Sequence, residues 1–135
     1  MGNCLNMGFH AVERRNLVTQ KQYAELEPTR EAATASGLLY PPTDLLLGLL
    51  AHTVGDLEKS VSHFEDSITY CGQAGLRPEL AWTCCDYADT LLQRNNPGDR
   101  EQAMSLLDES LAISSELGMR PLMERVLYRR DILKA

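Results

Sequence analysis

An all-α fold, built as a short array of antiparallel helix hairpins (a short α-solenoid), is the class that this sequence predicts. Three observations carry the prediction. Leu, Ala, Glu and Arg dominate the 135 residues while β-branched residues are scarce, a balance that favours helix. A stretch in the second half repeats after 43 residues. Each copy is bracketed by residues that start and stop helices. The length matches one domain of roughly 150 residues or fewer, long enough to bury a core without staples. The expected layout is a single domain over residues 1–135, with an N-terminal helical segment at 1–40. A first repeat follows at 41–77, a second at 78–118, and a closing helix at 119–135.

The N-terminal part is the least patterned. Residues 11 to about 27 carry Val12, Leu17, Tyr23 and Leu26 as one amphipathic helix. Pro28 breaks it, and Thr29 caps a short helix ending at Ser36-Gly37. Tyr40-Pro41-Pro42 reads as an extended link, because a residue before proline avoids the helical region. This half is expected to form an incomplete hairpin over one end of the stack. Met1-Gly2-Asn3-Cys4 superficially suits acylation, but Asn6 stands where the myristoylation pattern wants Ser or Thr. His10, Glu13, Arg14 and Arg15 interrupt any signal-peptide core, and the abrupt start fits a segment of a longer protein.

From Thr43 the punctuation is explicit. Thr43 caps a helix over Asp44–Thr53, and Gly55 stops it. Sliding Gly55–Pro78 onto Gly98–Pro121 needs no gap and makes eight of 24 positions identical. Chance would give roughly one or two. The identities include Gly55/Gly98, Asp56/Asp99, Ser67/Ser110, Gly75/Gly118 and Pro78/Pro121. Asp56 and Asp99 are expected as N-caps, with Asp99 and Gln102 forming a capping box. Gly75 and Gly118 suit left-handed C′ positions, and Pro78 and Pro121 suit the first turn of the next helix. Ala103, Leu106, Leu107, Ser110, Leu111, Ser114 and Leu117 form the apolar stripe of the second copy. Ser60, His63, Phe64, Ser67, Ile68, Cys71 and Ala74 form that of the first. Pro78 opens a helix to about Arg94 with Ala81, Cys84, Cys85, Ala88, Leu91 and Leu92 on one face, and Asn95-Asn96-Pro97-Gly98 turns the chain. The last helix is expected to point Leu122, Met123, Val126, Leu127 and Leu133 inward, and Arg125, Arg129, Arg130 and Lys134 outward.

Leu47-Gly48, followed twelve residues after Gly48 by Ser60-x₃-Phe64, resembles the tetratricopeptide signature. Tyr87-Ala88 and Ala103-x₃-Leu107 repeat it with a gap of fifteen, three residues longer at the Asn-Asn-Pro-Gly turn. Asp44 and Cys84 stand where the family usually has Trp, and its final Pro is missing. Segments such as His63-Phe64-Glu65-Asp66-Ser67 and Glu116-Leu117-Gly118-Met119-Arg120 resemble the C-terminal helical-repeat tail of bacterial ATP-dependent signalling regulators. Those regulators carry ATPase modules with nucleotide cyclase or DNA-binding domains. The resemblance implies a sensing or interaction segment. In its register the concave groove would be lined by Leu45, Leu49 and His52 of the first repeat, and by Trp82, Cys85, Asp89 and Leu92 of the second.

Function classes narrow on chemistry. A net charge of −6 disfavours nucleic acid, whose phosphates demand a basic footprint. The longest apolar run, Leu45–Ala51, is too short to span a bilayer. Cys4, Cys71, Cys84 and Cys85 lack disulfide or metal spacing and read as reduced thiols in a cytoplasmic protein. No GxxxxGK[ST] phosphate loop is present. His63 on an apolar stripe reads as a buried hydrogen-bonded histidine; a metal site with Cys71 would need ligands facing one another. Cys84, Cys85 and Asp86 near His52 read as packing residues, since nothing there lowers a thiol pKa. Asp56, Glu58, Glu65 and Asp66 read as a solvated face. The expectation is a non-enzymatic module without cofactor or metal that binds a protein, a peptide or the other domains of a parent regulator. A small-molecule sensor using the same groove is the alternative, and self-association as a homodimer follows from an uncovered end.

Overall fold

The computed structural model describes residues 19–29 and 43–134, and every regular element among them is helical. Helix α1 covers 19–26 and runs into a 3₁₀ turn at Glu27–Thr29. Then come α2 (Thr43–Val54), α3 (Leu57–Ala74), α4 (Arg77–Arg94), α5 (Asp99–Leu117) and α6 (Arg120–Lys134). The expectations for Cys4, for the helix from Thr29 to Gly37 and for the link at Tyr40-Pro41-Pro42 lie outside the described residues.

The helix boundaries follow local chemistry. Gly75 and Gly118 end α3 and α5 at φ +70° and +69°, where a side chain would be strained. The residue after each glycine closes the helix with the same long bond: Leu76 N–H to the Cys71 carbonyl at 3.0 Å, and Met119 N–H to the Ser114 carbonyl at 2.8 Å. Asp56 does the same to Ala51 at 3.0 Å. It also caps α3, its carboxylate accepting from Lys59 N–H at 3.2 Å.

Asp99 departs from its counterpart. The longer loop lets Asn95 (φ +56°) end α4, and Gly98 takes the N-cap of α5. Asp99 is thereby the first helical residue and cannot cap. Its carboxylate instead accepts from Arg94 at 2.7 and 2.8 Å and from Asn96 N–H at 3.0 Å, which closes the loop on itself. The expected capping box also fails, because Gln102 donates to Tyr87 Oη at 3.1 Å.

Consecutive helices run antiparallel, as the pairings show: His63 with Asp44, Ser60 with Gly48, Ser67 with Thr83, and Ser110 with Ala81. Alternate helices run parallel, His52 of α2 meeting Thr90 of α4, and Arg125 and Arg129 of α6 meeting Asp86 and Asp89 of α4. The core is a row of side chains along these seams: Leu47, Phe64, Leu91, Leu107, Leu122 and Val126 are fully buried. Burying each stabilises the fold by about 1.5–3 kcal/mol in transfer terms.

Gly48 lets α2 and α3 close. A Cβ there would stand 2.7 Å from Phe64 Cε1, inside any real contact. Ser60 Oγ meanwhile donates to the Gly48 carbonyl at 2.8 Å.

The inward stripes hold, with corrections near helix ends. Ala74 is exposed, and Leu117 is 42% and Leu127 43% exposed. Leu127 stays open because α6 packs mainly on α5 and reaches α4 through Arg125 and Arg129. Arg125 and Arg129 are not outward as expected; they turn onto α4, where two carboxylates draw them.

Candidate functional site

One surface of the stack is shared by α2, α4 and α6, the three parallel helices. On α4 the helical period places Trp82, Asp86, Asp89 and Leu92 along one side. On α6, Arg125 and Arg129 lie one turn apart and face that row. Arg125 Nη2 donates to Asp86 Oδ1 at 3.0 Å and to Asp89 Oδ2 at 2.9 Å. Arg129 Nε donates to Asp89 Oδ1 at 2.8 Å. The Arg125 guanidinium also stands 5.9 Å from the centroid of the Trp82 ring, a cation–π distance.

Burial pushes the Asp86 carboxyl up to about 6, and Arg125 beside it offsets part of that rise. Burial likewise lowers the pKa of His52, against the pull of Asp89. The His52 ring is held by Thr90, with Nδ1 at 2.7 Å from Oγ1.

At the C-terminal ends of these helices an open cleft of about 340 Å³ is lined by His52, Asp89, Leu92, Gln93, Arg129 and Ile132. It combines a ring, a paired charge, an amide and two aliphatic side chains.

The seven groove residues expected from the sequence separate here. His52, Asp89 and Leu92 meet in the cleft. Trp82 is not among the cleft's lining; it lies half-buried under Arg125, nearer the start of α4. Leu49 faces a different hollow, with Leu26 and Leu46. Leu45 and Cys85 belong to the core, at 8% and 0% exposure.

Gln93, Arg129 and Ile132 are lining residues that sequence reasoning missed, as were the anchoring roles of Asp86 and Arg125. A signal was present: acids three apart on one helix and arginines four apart on another, separated by 39 and 40 residues, close to one repeat.

The other weighed residues take structural roles. His63 is buried, its Nδ1 3.0 Å from Asp44 Oδ1 and its Nε2 bonded to the Tyr23 hydroxyl, which ties α1 to α2 and α3. Cys71, Cys84 and Cys85 are free, buried thiols, and burial pushes Cys84 and Cys85 up to about 12. Glu65 accepts from Tyr87 Oη at 2.9 Å and Glu58 meets Arg94 at 3.2 Å, so the acidic face is partly tied down. Among the described residues no group of three or more His, Cys, Asp or Glu could hold a metal ion. None of the described helices is long and apolar enough to cross a membrane.

Comparison with known proteins leaves the family open: no family model matches the chain, and neither a curated protein nor a solved structure matches it.

Proposed function

We propose that the chain is a non-enzymatic protein-interaction module, a short tetratricopeptide-like array that presents the surface of α2, α4 and α6 to a protein or peptide partner. The observation that carries this reading is the convergence of His52, Asp89, Leu92, Arg129 and Ile132 from three helices on one open cleft. Mixed aliphatic and polar lining of this kind suits side chains of a partner segment. The Phe64 ring lying against Gly48, with Ser60 bonded to the same turn, supports the tetratricopeptide-like register. Thiols held protonated by burial supply no nucleophile, which supports the non-enzymatic reading. Three free buried cysteines suit a reducing compartment such as the cytoplasm. The exposed Leu127, Tyr128 and Ile132 suit self-association.

The resemblance to regulator tails supports a partner in a bacterial signalling protein, either another chain or other domains of a parent regulator. The alternative, a small-molecule sensor, calls for an enclosed apolar cavity; the open cleft favours a partner segment.

Capture of partners with wild type, Leu92→Glu and Trp82→Ala, compared by quantitative mass spectrometry, tests the reading. Specific partners should fall by about tenfold or more with Leu92→Glu, as a charge placed on an apolar contact should do. Equal recovery with both variants, each still helical by circular dichroism, would overturn it.

A further inference from the structure

α6 is attached differently from the helices it joins. Among the described residues two of its fifteen, Leu122 and Val126, are buried. In α4 nine of eighteen are buried, and in α5 seven of nineteen. α6 packs on α5 and reaches α4 through charge, by Arg125 and Arg129 on Asp86 and Asp89. Beyond Leu122, Val126 and the half-buried Leu133, its ties to α5 are polar: Arg130 Nε lies 3.0 Å from Asp108 Oδ1, and Arg100 donates to the Leu133 carbonyl. Few buried apolar side chains place a helix at the low-stability end of local opening. These pairs are partly buried, with the carboxylates more enclosed than the guanidiniums, so part of their attraction is offset by lost hydration. When α6 leaves, Asp86, Asp89 and both guanidiniums regain water. Opening therefore costs less than separating an apolar seam of the same size.

Withdrawal of α6 uncovers a distinctive face on α4. It presents the Trp82 ring, two carboxylates three residues apart, and Leu92. We infer that α6 is a self-docked occupant of this face, and that the face takes in its place a basic amphipathic helix with two arginines four residues apart. The inference rests on the interaction-module reading above: it keeps the α4 side of that cleft, Asp89 and Leu92, and replaces Arg129 and Ile132 of α6 with the partner's own helix. Arg125 and Arg129 are the template. The first guanidinium bridges Asp86 and Asp89 over the indole, and the second grips Asp89 from the next turn. An uncharged helix on this face would leave both carboxylates desolvated and unpaired, and an acidic one would repel them.

The test uses the full chain and two labelled peptides, one with the sequence of Arg120–Lys134 and one with Gln at positions 125 and 129. Trp82, the chain's single tryptophan, reports docking by fluorescence. Native-state hydrogen exchange should show α6 amides of the wild type accelerating as salt rises from about 50 to about 500 mM, with α3–α5 unchanged. The double variant Arg125→Gln, Arg129→Gln frees the face, so it should bind the arginine peptide about tenfold or more tighter than the wild type does, and the glutamine peptide should bind neither. Should that variant fail to fold, Val126→Ala loosens α6 without touching the charges and should give the same ordering.

Salt-insensitive exchange in α6, equal affinity of both chains for the arginine peptide, or equal affinity of both peptides would each overturn the inference. A fixed α6 together with partner capture that depends on Leu92 sinks this inference alone. An exchangeable α6 with capture indifferent to Leu92 and Trp82 sinks the groove reading alone.

Discussion

Gly48 shows how one missing methyl group sets the distance between two helices. Alanine is the better helix former there by up to about 1 kcal/mol, so local propensity alone predicts that Gly48→Ala stabilises. The Phe64 ring occupies the space that the new Cβ would need, and the ring is fully buried. Overpacking of this kind costs about 1–3 kcal/mol, so the variant should lose stability on balance in urea denaturation. A gain would show that the ring has another rotamer. The two buried acids act in opposite senses with pH. Asp99 is held below the ordinary carboxylate range, first by its bonds from Arg94, so its contribution is present above pH 3.8 and disappears as pH falls through its lowered folded value. Asp86 is pushed from 3.8 up to about 6, so its ionisation is disfavoured in the fold and stability drains away as pH rises from about 4 to about 6. Thermal melts across that range should therefore show Asp86→Asn gaining on the wild type up to pH about 6 and running parallel above it. A constant difference between the two would contradict the burial assigned to Asp86.

Among the helices, junctions differ more than interiors. α3 and α5 end in the same left-handed glycine and the same closing bond, and both hand over to a proline in the next first turn. The start of α5 has no such match with α3, because three added residues move the cap from Asp to Gly and free Asp99 to grip Arg94. Asn95 carries the strain of that insertion at φ +56°, a conformation that costs a residue with Cβ about 1–2 kcal/mol and that Asn tolerates better than most. Asn95→Ala should accordingly destabilise by about 1 kcal/mol, while Asn95→Gly should be neutral or stabilising. Chemical denaturation of the pair reads the difference directly, and equal stabilities would mean that the loop relaxes. The capping role of Asp56 was legible from Gly-Asp before an apolar period. That of Asp99 was misread, because identical residues in two repeats suggested identical jobs although the loop before them differed in length.

Over the whole molecule, packing passes from each helix to the next, so α4 in the middle joins α3 on one side to α5 on the other. Leu91, fully buried in α4, belongs to a core cluster that runs from Leu45 of α2 to Val126 of α6. Leu91→Ala should cost about 2–5 kcal/mol and lower a single transition seen alike by circular dichroism and by Trp82 fluorescence. Two separated transitions would mean that the halves fold independently. By itself the sequence determined the helical class, the boundaries from Thr43 onward and most of the buried stripes, because capping, left-handed glycines and a 3.6-residue period act within a few residues of chain. It also marked His63 as a buried, hydrogen-bonded histidine, and Asp44 supplies that bond. Only the tertiary structure decided which faces meet. It put Leu45 and Cys85 in the core, turned Arg125 and Arg129 inward, and joined His52 to Arg129 and Ile132 across three helices. An amphipathic period tells a helix which side is apolar, whereas an arginine finds its carboxylate through the angle at which two helices cross. That angle follows from how α4 and α6 each pack on α5, through contacts made far from the arginines in sequence.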